Sequence, residues 1–376
     1  MVFEQPGPSS STYTLPETMR ALVLHSTSTS PKVETVPCPR PTTGSAIVKI
    51  LAANVISYTR DVYNGKKNYP FPTPLIPGFS AIARISALGP DATKLKIGDL
   101  VFLDTIVRSR DEPSDVYLCA VTEGFTEGSK KLMREVWRDW SFAEFAGVPL
   151  ENLTYLDEER LGYRIEELAS IATLLVPYGG LRDIEFRPGQ TIVIAPATGP
   201  FGSAAVKVAL AMGGRVIAMG RNREALESLK KMGEGRVEIV PITGDMTADS
   251  QSLKACFGGK GRIDAYFDIG PPEAEGNTHI KSAILALSHG ARVSLMGGYR
   301  GDISIPHATV MHKNLRLYGK WMYEREDVRD LVQMVESGVL RLDGEVVGEF
   351  GLEEWKAAWD CAAENAGPGR YVVIKP

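Results

Sequence analysis

The stretch that most limits what this chain can become runs from Thr191 to Arg223: "TIVIAPATGPFGSAAVKVALAMGGRVIAMGRNR". An apolar run of strand length is followed by a turn, a helix of small residues and a second apolar run. That order makes a strand–helix–strand unit of a parallel sheet. In the turn Ala197-Thr198-Gly199-Pro200-Phe201-Gly202, Gly199 allows the backbone to approach a pyrophosphate and Gly202 allows the helix to lie close on the strand. Ser203, Ala204 and Ala205 keep the first turn slim, and Gly213 suits the helix C-terminus. The free N–H groups and partial positive charge of the helix N-terminus favour phosphates. A dinucleotide site is predicted, although Ala197 stands where the first glycine of the usual G-x-G-x-x-G falls.

The end of the second strand selects between dinucleotides. A carboxylate there would accept from the 2′-hydroxyl of NAD. This chain has Gly220, Arg221, Asn222 and Arg223 instead. Asn222 reads as the cap of the next helix, so two cations flank a helix N-terminus, against its dipole. A bound 2′-phosphate relieves that conflict, which predicts NADPH over NADH. The other account of Arg223 is a solvated charge four residues from Glu227.

Around this unit the texture is periodic. From about Ala172, "TIVIA", "RVIAM", "VEIVPI", "IDAYFDI", "ARVSLMG" and "NLRLYG" alternate with helical segments. This predicts a doubly wound parallel sheet over 173–321. Glycines after later strands, Gly270, Gly297 and Gly298, are expected to line its groove, because ligands bind beyond the carboxyl ends of the strands. Residues 19–101 carry short strands and Gly/Pro turns, and "GEVVGEF" and "RYVVIKP" near the end are β-like again. A β-rich domain of 19–172 plus 322–376 is therefore expected, with the parallel-sheet domain inserted. Between them, 105–119 reads as polar loop. "EGSKKLMREVWRDW" reads as an amphipathic helix with Leu132, Val136, Trp137 and Trp140 inward. Residues 1–18, rich in Pro, Ser and Thr, read as a disordered tail and not a signal peptide.

Composition narrows the partners. The 376 residues carry a net charge of −4 with no sustained basic run, which argues against nucleic acid or a membrane surface. The four cysteines are scattered, which fits a reduced cytoplasmic setting and a chain without disulfides. None pairs with a histidine at familiar zinc spacing.

The segments "MRALVL", "GFSAIARISALG", "KIGDLVF", "SFAEFAGVPLENL", "RPGQTIVIAPATGPFG", "FDIG", "LMGG" and "GRYVVIKP" occur in this order along nearly the whole chain. In them the sequence resembles the medium-chain dehydrogenase/reductase superfamily. The resemblance implies a GroES-like β domain joined to a Rossmann domain, an active site in the cleft between them, and a homodimer. The zinc-dependent branch has metal ligands at three positions. Here those places hold Ile56-Ser57, Gly78 followed by Phe79 and Ser80, and Ala172, while 100–140 contains only Cys119. No metal is expected, and the chain looks nearest to the zinc-free quinone and enoyl reductases.

Without a Lewis acid a simple ketone is a poor hydride acceptor, because charge builds on its oxygen. A conjugated enone spreads that charge, and ordinary hydrogen bonds can hold it until a proton arrives. Reduction of an activated C=C or of a quinone, acting on a small molecule, is the leading expectation. A zinc-free carbonyl reductase or alcohol dehydrogenase is the second, and an NADPH-binding structural or regulatory protein the third. For the proton donor, Tyr69 in "YNGKKNYPFP" resembles the tyrosine of a Gly-x-Tyr-Pro segment in zinc-free reductases, with one extra residue of spacing. Tyr58 and Tyr63 are the alternatives. Asp61 could orient a substrate, or be a solvated loop carboxylate.

Overall fold

A computed structural model describes residues 15–259, 261–274 and 276–376. The expected tail lies outside the described residues as far as residue 14. Residues 15–18 are not tail: Leu15 packs on a small cluster with Met19 and Ala21, Arg40 donates to the carbonyls of Leu15 and Pro16, and Thr18 opens a strand.

The first half forms a mainly antiparallel sheet. Its order is Glu345–Gly351, Arg370–Lys375, Ser45–Val55, Ala81–Leu88, Leu100–Leu103 and Leu153–Tyr155, with Phe145–Pro149 also on Ser45–Val55. The C-terminal strand pairs antiparallel with Ser45–Val55, Val372 opposite Val55, so the chain does return to its first sheet.

The second half is a six-stranded sheet, parallel throughout. Its spatial order is Val237–Pro241, Arg215–Gly220, Thr191–Ala195, Ala265–Asp268, Arg292–Leu295 and Arg316–Gly319. Numbered along the chain this is 3-2-1-4-5-6, the doubly wound Rossmann order, and the order reverses between Thr191–Ala195 and Ala265–Asp268. The crevice for a ligand therefore opens beside Ala195, where the strand meets the glycine turn.

The helix Ile171–Asp183 passes through the expected junction at 172/173. It is buried on nearly all sides. Gly179 and Gly180 allow Tyr323, Phe267 and Met296 to lie where a Cβ would stand. Its residues share one apolar cluster with Ala52, Ile82 and Phe102 of the first sheet and Ile192, Ile194 and Phe267 of the second. The two halves thus meet through a packed helix and not a linker.

Two local expectations fail. Residues 105–119 are not all loop: Ile106–Arg108 pairs antiparallel with Val116–Leu118, because Ile106, Val107 and Tyr117 are buried and only the tip is polar. The amphipathic helix covers Glu127–Glu135, started by a Thr126–Ser129 capping box. It stops before Val136, which is exposed, and it buries Ser129 and Met133, while Trp140 is buried beyond its end.

Candidate active site

At the crevice the turn is built as its residues require. Gly199 caps the helix Pro200–Ala211, with Pro200 in the first turn where no N–H is needed. A Cβ at Gly199 would meet nothing within 4 Å, so its face is open to a ligand. A Cβ at Gly202 would collide with the Pro196 carbonyl, so Gly202 sets the helix-to-strand distance. Ala197 is buried, its N–H donates to Met219 O at 2.8 Å, and it has no positive φ, which is why alanine serves in place of the first glycine. Thr198 lies against Gly220, where a Cβ would come within 2.8 Å of its Cγ2. Phe201 and Pro200 line a pocket of about 30 Å³ with Asn54, Ser57, Thr173 and Arg370.

Arg370 was missed in the sequence. It opens the C-terminal strand, and the return of that strand brings a guanidinium beside the helix N-terminus; its Nη1 donates to Asn365 Oδ1 at 3.3 Å. The run "GRYVVIKP" was legible as strand, but its antiparallel partner is distant, Val372 lying opposite Val55, so no local signal placed the arginine.

Beyond the next strand, Asn222 caps the helix Arg223–Met232, its Oδ1 accepting from Ala225 N at 3.0 Å. Arg221 and Arg223 are exposed, and among the described residues neither forms an ion pair; Arg223 does not pair with Glu227. Two unneutralised cations at a helix N-terminus fit a phosphate there. The glycine turn, the helix N-terminus, Arg370 and this arginine pair are residues that suit a phosphorylated dinucleotide.

Gly270, Gly297 and Gly298 are brought together: Gly298 N–H donates to Gly270 O at 2.8 Å and Gly297 N–H to Asp268 Oδ2 at 3.1 Å. The reason for two of the glycines differs from the expected one. A Cβ at Gly270 or Gly297 would collide with Tyr299, whereas one at Gly298 would make only ordinary contact with Pro272. Tyr299 is held by a buried network: its hydroxyl donates to Asp268 Oδ1 at 3.0 Å and lies 3.1 Å from His279 Nε2. Tyr266 donates to the same oxygen at 3.2 Å.

The three tyrosines separate. Tyr63 is buried, accepts from Gly78 N–H at 3.0 Å, donates to Gly78 O at 3.2 Å and stacks on Trp359. Its hydroxyl is committed to backbone, which removes it as a proton donor. Tyr58 is half-buried, with Lys67 Nζ 5.4 Å from its ring centroid, and burial pushes its phenol up. Tyr69 keeps 39% of its surface exposed. Burial raises its phenol, the Arg300 charge restrains it and Glu273 raises it further. Those two groups follow the parallel strands, so Tyr69 stands on the cleft facing the Rossmann half.

The positions expected to hold metal ligands in zinc relatives are filled otherwise. Phe79 packs its ring on Tyr63 and Phe142, Ser80 accepts from Thr105 N–H at 3.3 Å, and Ser57 lines the small pocket. Among the described residues no three His, Cys, Asp or Glu side chains converge as a metal site requires. The donor set does not fit catalytic zinc.

Sequence reading also missed Asp104. It is buried behind the cleft, accepts from Tyr323 O–H at 2.7 Å and from Ile106 N–H at 3.0 Å, and burial pushes its carboxyl up to about 6 against those bonds. Arg108 beside it donates to Tyr323 O at 2.6 Å and pairs with Glu324 at 2.9 Å. These contacts fasten the first sheet to the segment that leaves the last parallel strand. A larger groove of about 920 Å³ lies on the outer face of the β-rich half, along Val36, Arg110 and Trp137, and contains none of the crevice residues.

Comparison with known proteins agrees with this architecture. Residues 42–158 match the alcohol dehydrogenase GroES-like domain family and residues 200–337 the zinc-binding dehydrogenase family. Sorbitol dehydrogenase of Bacillus subtilis is 25% identical over 375 residues, covering 97% of this chain and 99% of its own. Among solved structures, a crotonyl-CoA carboxylase/reductase superposes with a TM-score of 0.78 at 17% identity, covering 96% of this chain and 89% of that one. A Sinorhizobium meliloti protein bound to NADP gives 0.74 at 18%, covering 96% and 100%. With both halves matched in order and full-length similarity to a dehydrogenase, the chain belongs to the medium-chain dehydrogenase/reductase superfamily and is an oxidoreductase of that type.

Proposed function

We propose that this chain is a zinc-independent, NADPH-dependent reductase of an activated C=C bond, as in an enone or enoyl compound, or of a quinone. The observation that carries this is the donor set: Phe79, Ser80, Ser57 and Ala172 offer no metal the N, S or carboxylate ligands it needs, while a hydride acceptor still requires its charge held. The Gly199 turn would hold NADPH, Arg221 and Arg223 would meet its 2′-phosphate, and the cofactor would supply the hydride. The chain's own residues do the rest. Gly202 and Pro200 set the helix N-terminus that would receive the pyrophosphate, and Arg370 would add a charge to that site. Tyr69, whose phenol stays protonated at neutral pH, donates to the substrate oxygen or to the carbon that takes the proton. Tyr299, fixed by Asp268, walls the crevice next to Gly298.

A second reading, alcohol or carbonyl oxidoreduction, is favoured by the names of relatives such as the sorbitol dehydrogenase. The two are separated by following NADPH oxidation with an enone and with its saturated ketone and weighing the products. Gain of two hydrogens across C=C supports the first. Alcohol formed from the ketone, with the enone untouched, overturns it. The domain division at 172/173 and 321/322, the homodimer and the cytoplasmic setting belong to the same proposal. The exposed edge strand Arg316–Gly319 supports the dimer, and four unpaired cysteines support the setting.

A further inference from the structure

Two cations, Lys67 and Arg300, meet at the mouth of the cleft, one from each half, and neither has a part in the reaction proposed above. Lys67 belongs to the β-rich half, in the turn that its own N–H closes on Asp61 O at 2.8 Å. Its ammonium lies over the Tyr58 ring and 3.5 Å from Glu273 Oε1, with the side chain only 15% exposed. Arg300 belongs to the Rossmann half, directly after the Gly297-Gly298-Tyr299 turn that Asp268 anchors. Its Nη2 reaches the Lys67 carbonyl at 3.5 Å, a long contact, and among the described residues it forms no ion pair. Among the described residues Glu273 is the carboxylate that pairs with Lys67, and its side chain is 71% exposed, so solvent screens it. The neighbouring Lys66 is matched by Asp61 at 3.5 Å. Among these described residues, three cations (Lys66, Lys67 and Arg300) face two carboxylates (Asp61 and Glu273), in a chain whose net charge is −4. Tyr69, two residues along from Lys67, is close enough to Arg300 for its phenol to feel the charge.

We propose that Lys67 and Arg300 form an anion-binding lip that selects substrates bearing a carboxylate, with the reducible bond lying inward of it toward Tyr69 and Gly298. This rests on the reductase assignment above and names its substrate class. A guanidinium presents a planar fork that matches a carboxylate in two hydrogen bonds, and Arg300 would give up only its long contact to the Lys67 carbonyl, not an ion pair. Lys67, held over an aromatic face, adds charge from the opposite wall without needing to be reoriented. Because one cation comes from each half, the anion also bridges the cleft as the substrate enters.

The test pairs (E)-4-oxopent-2-enoate with its methyl ester, which differ in charge and little in shape. In the native protein kcat/KM should favour the acid by about 10-fold or more, the scale of a charge-assisted contact at a partly exposed site. The acid-to-ester ratio should fall toward 1 in Arg300→Gln and in Lys67→Met, and should narrow as salt is raised. A native ratio near 1 overturns the lip. So does an Arg300→Gln variant that slows acid and ester by the same factor, because that is a domain latch and not a binding site. A second measurement does not depend on turnover: calorimetric titration of 4-oxopentanoate and of its methyl ester into NADPH-saturated protein. Binding of the acid in preference to the ester, weakened in Arg300→Gln, supports the lip even where no C=C is reduced. In that case the failure lies with the reductase assignment alone. Equal binding of acid and ester overturns the lip whatever the reaction.

Discussion

Replacing Arg221 by alanine tests the cofactor assignment with little collateral damage. The side chain is exposed and forms no ion pair among the described residues, so its loss leaves no orphaned carboxylate behind. A charge-assisted hydrogen bond to phosphate contributes about 1.5–3 kcal/mol, which corresponds to a roughly 10- to 150-fold rise in the NADPH dissociation constant. The same cation opposes the dipole of the helix Arg223–Met232 in the free protein. Removing it should leave the apoprotein equal or slightly more stable, by up to about 0.5 kcal/mol after allowance for exposure. Binding and folding should thus move in opposite directions, a pattern that general misfolding cannot produce. Isothermal titration with NADPH and NADH, on native protein and Arg221→Ala, reads the first quantity, and thermal melting without cofactor reads the second. NADH affinity should stay within about 2-fold, since its ribose offers no phosphate at that point. Native protein that binds NADH as tightly as NADPH would refute the phosphate pocket. Equal losses for both dinucleotides in the variant would refute it too.

Three further outcomes are expected. Tyr69→Phe should lower kcat by about 10- to 100-fold with melting temperature unmoved. Tyr63→Phe should instead cost about 1–3 kcal/mol of stability, because it strands the Gly78 N–H; the reverse pattern in single-turnover and melting experiments would exchange the two roles. Asp104 has a folded-state carboxyl near 6, above its unfolded value near 4, so its contribution to stability is present below about pH 4 and is lost as pH rises through 6. Asp104→Asn, which can still accept from Tyr323 and Ile106, should therefore gain on the native protein between pH 4 and 7, by on the order of 2–3 kcal/mol; an advantage that does not change with pH speaks against the ionisation. Finally, purified protein should contain well under one zinc per chain, and chelators should leave turnover intact. Stoichiometric zinc lost together with activity would defeat the proposed chemistry.

What was legible in the sequence is what arises from neighbours along the chain. The strand Thr191–Ala195, the turn through Gly202 and the Asn222 cap depend on periodicity and on side chains bonding backbone a few residues away, so they read directly. Alternation of strand and helix decided the parallel sheet, and the right-handed crossover rule left few orders for it. Tertiary structure alone separates the environments of three tyrosines within twelve positions. Burial against Trp359 and Gly78 disposes of Tyr63, while nothing local distinguishes it from Tyr69. It also decided that Gly270 and Gly297 make room for Tyr299, that Asp104 meets Tyr323 across 219 positions, and that Arg370 arrives beside a helix that begins at Pro200. Each of these is set by packing between segments distant in sequence, where burial and electrostatics depend on the partner and not on the residue's own neighbours.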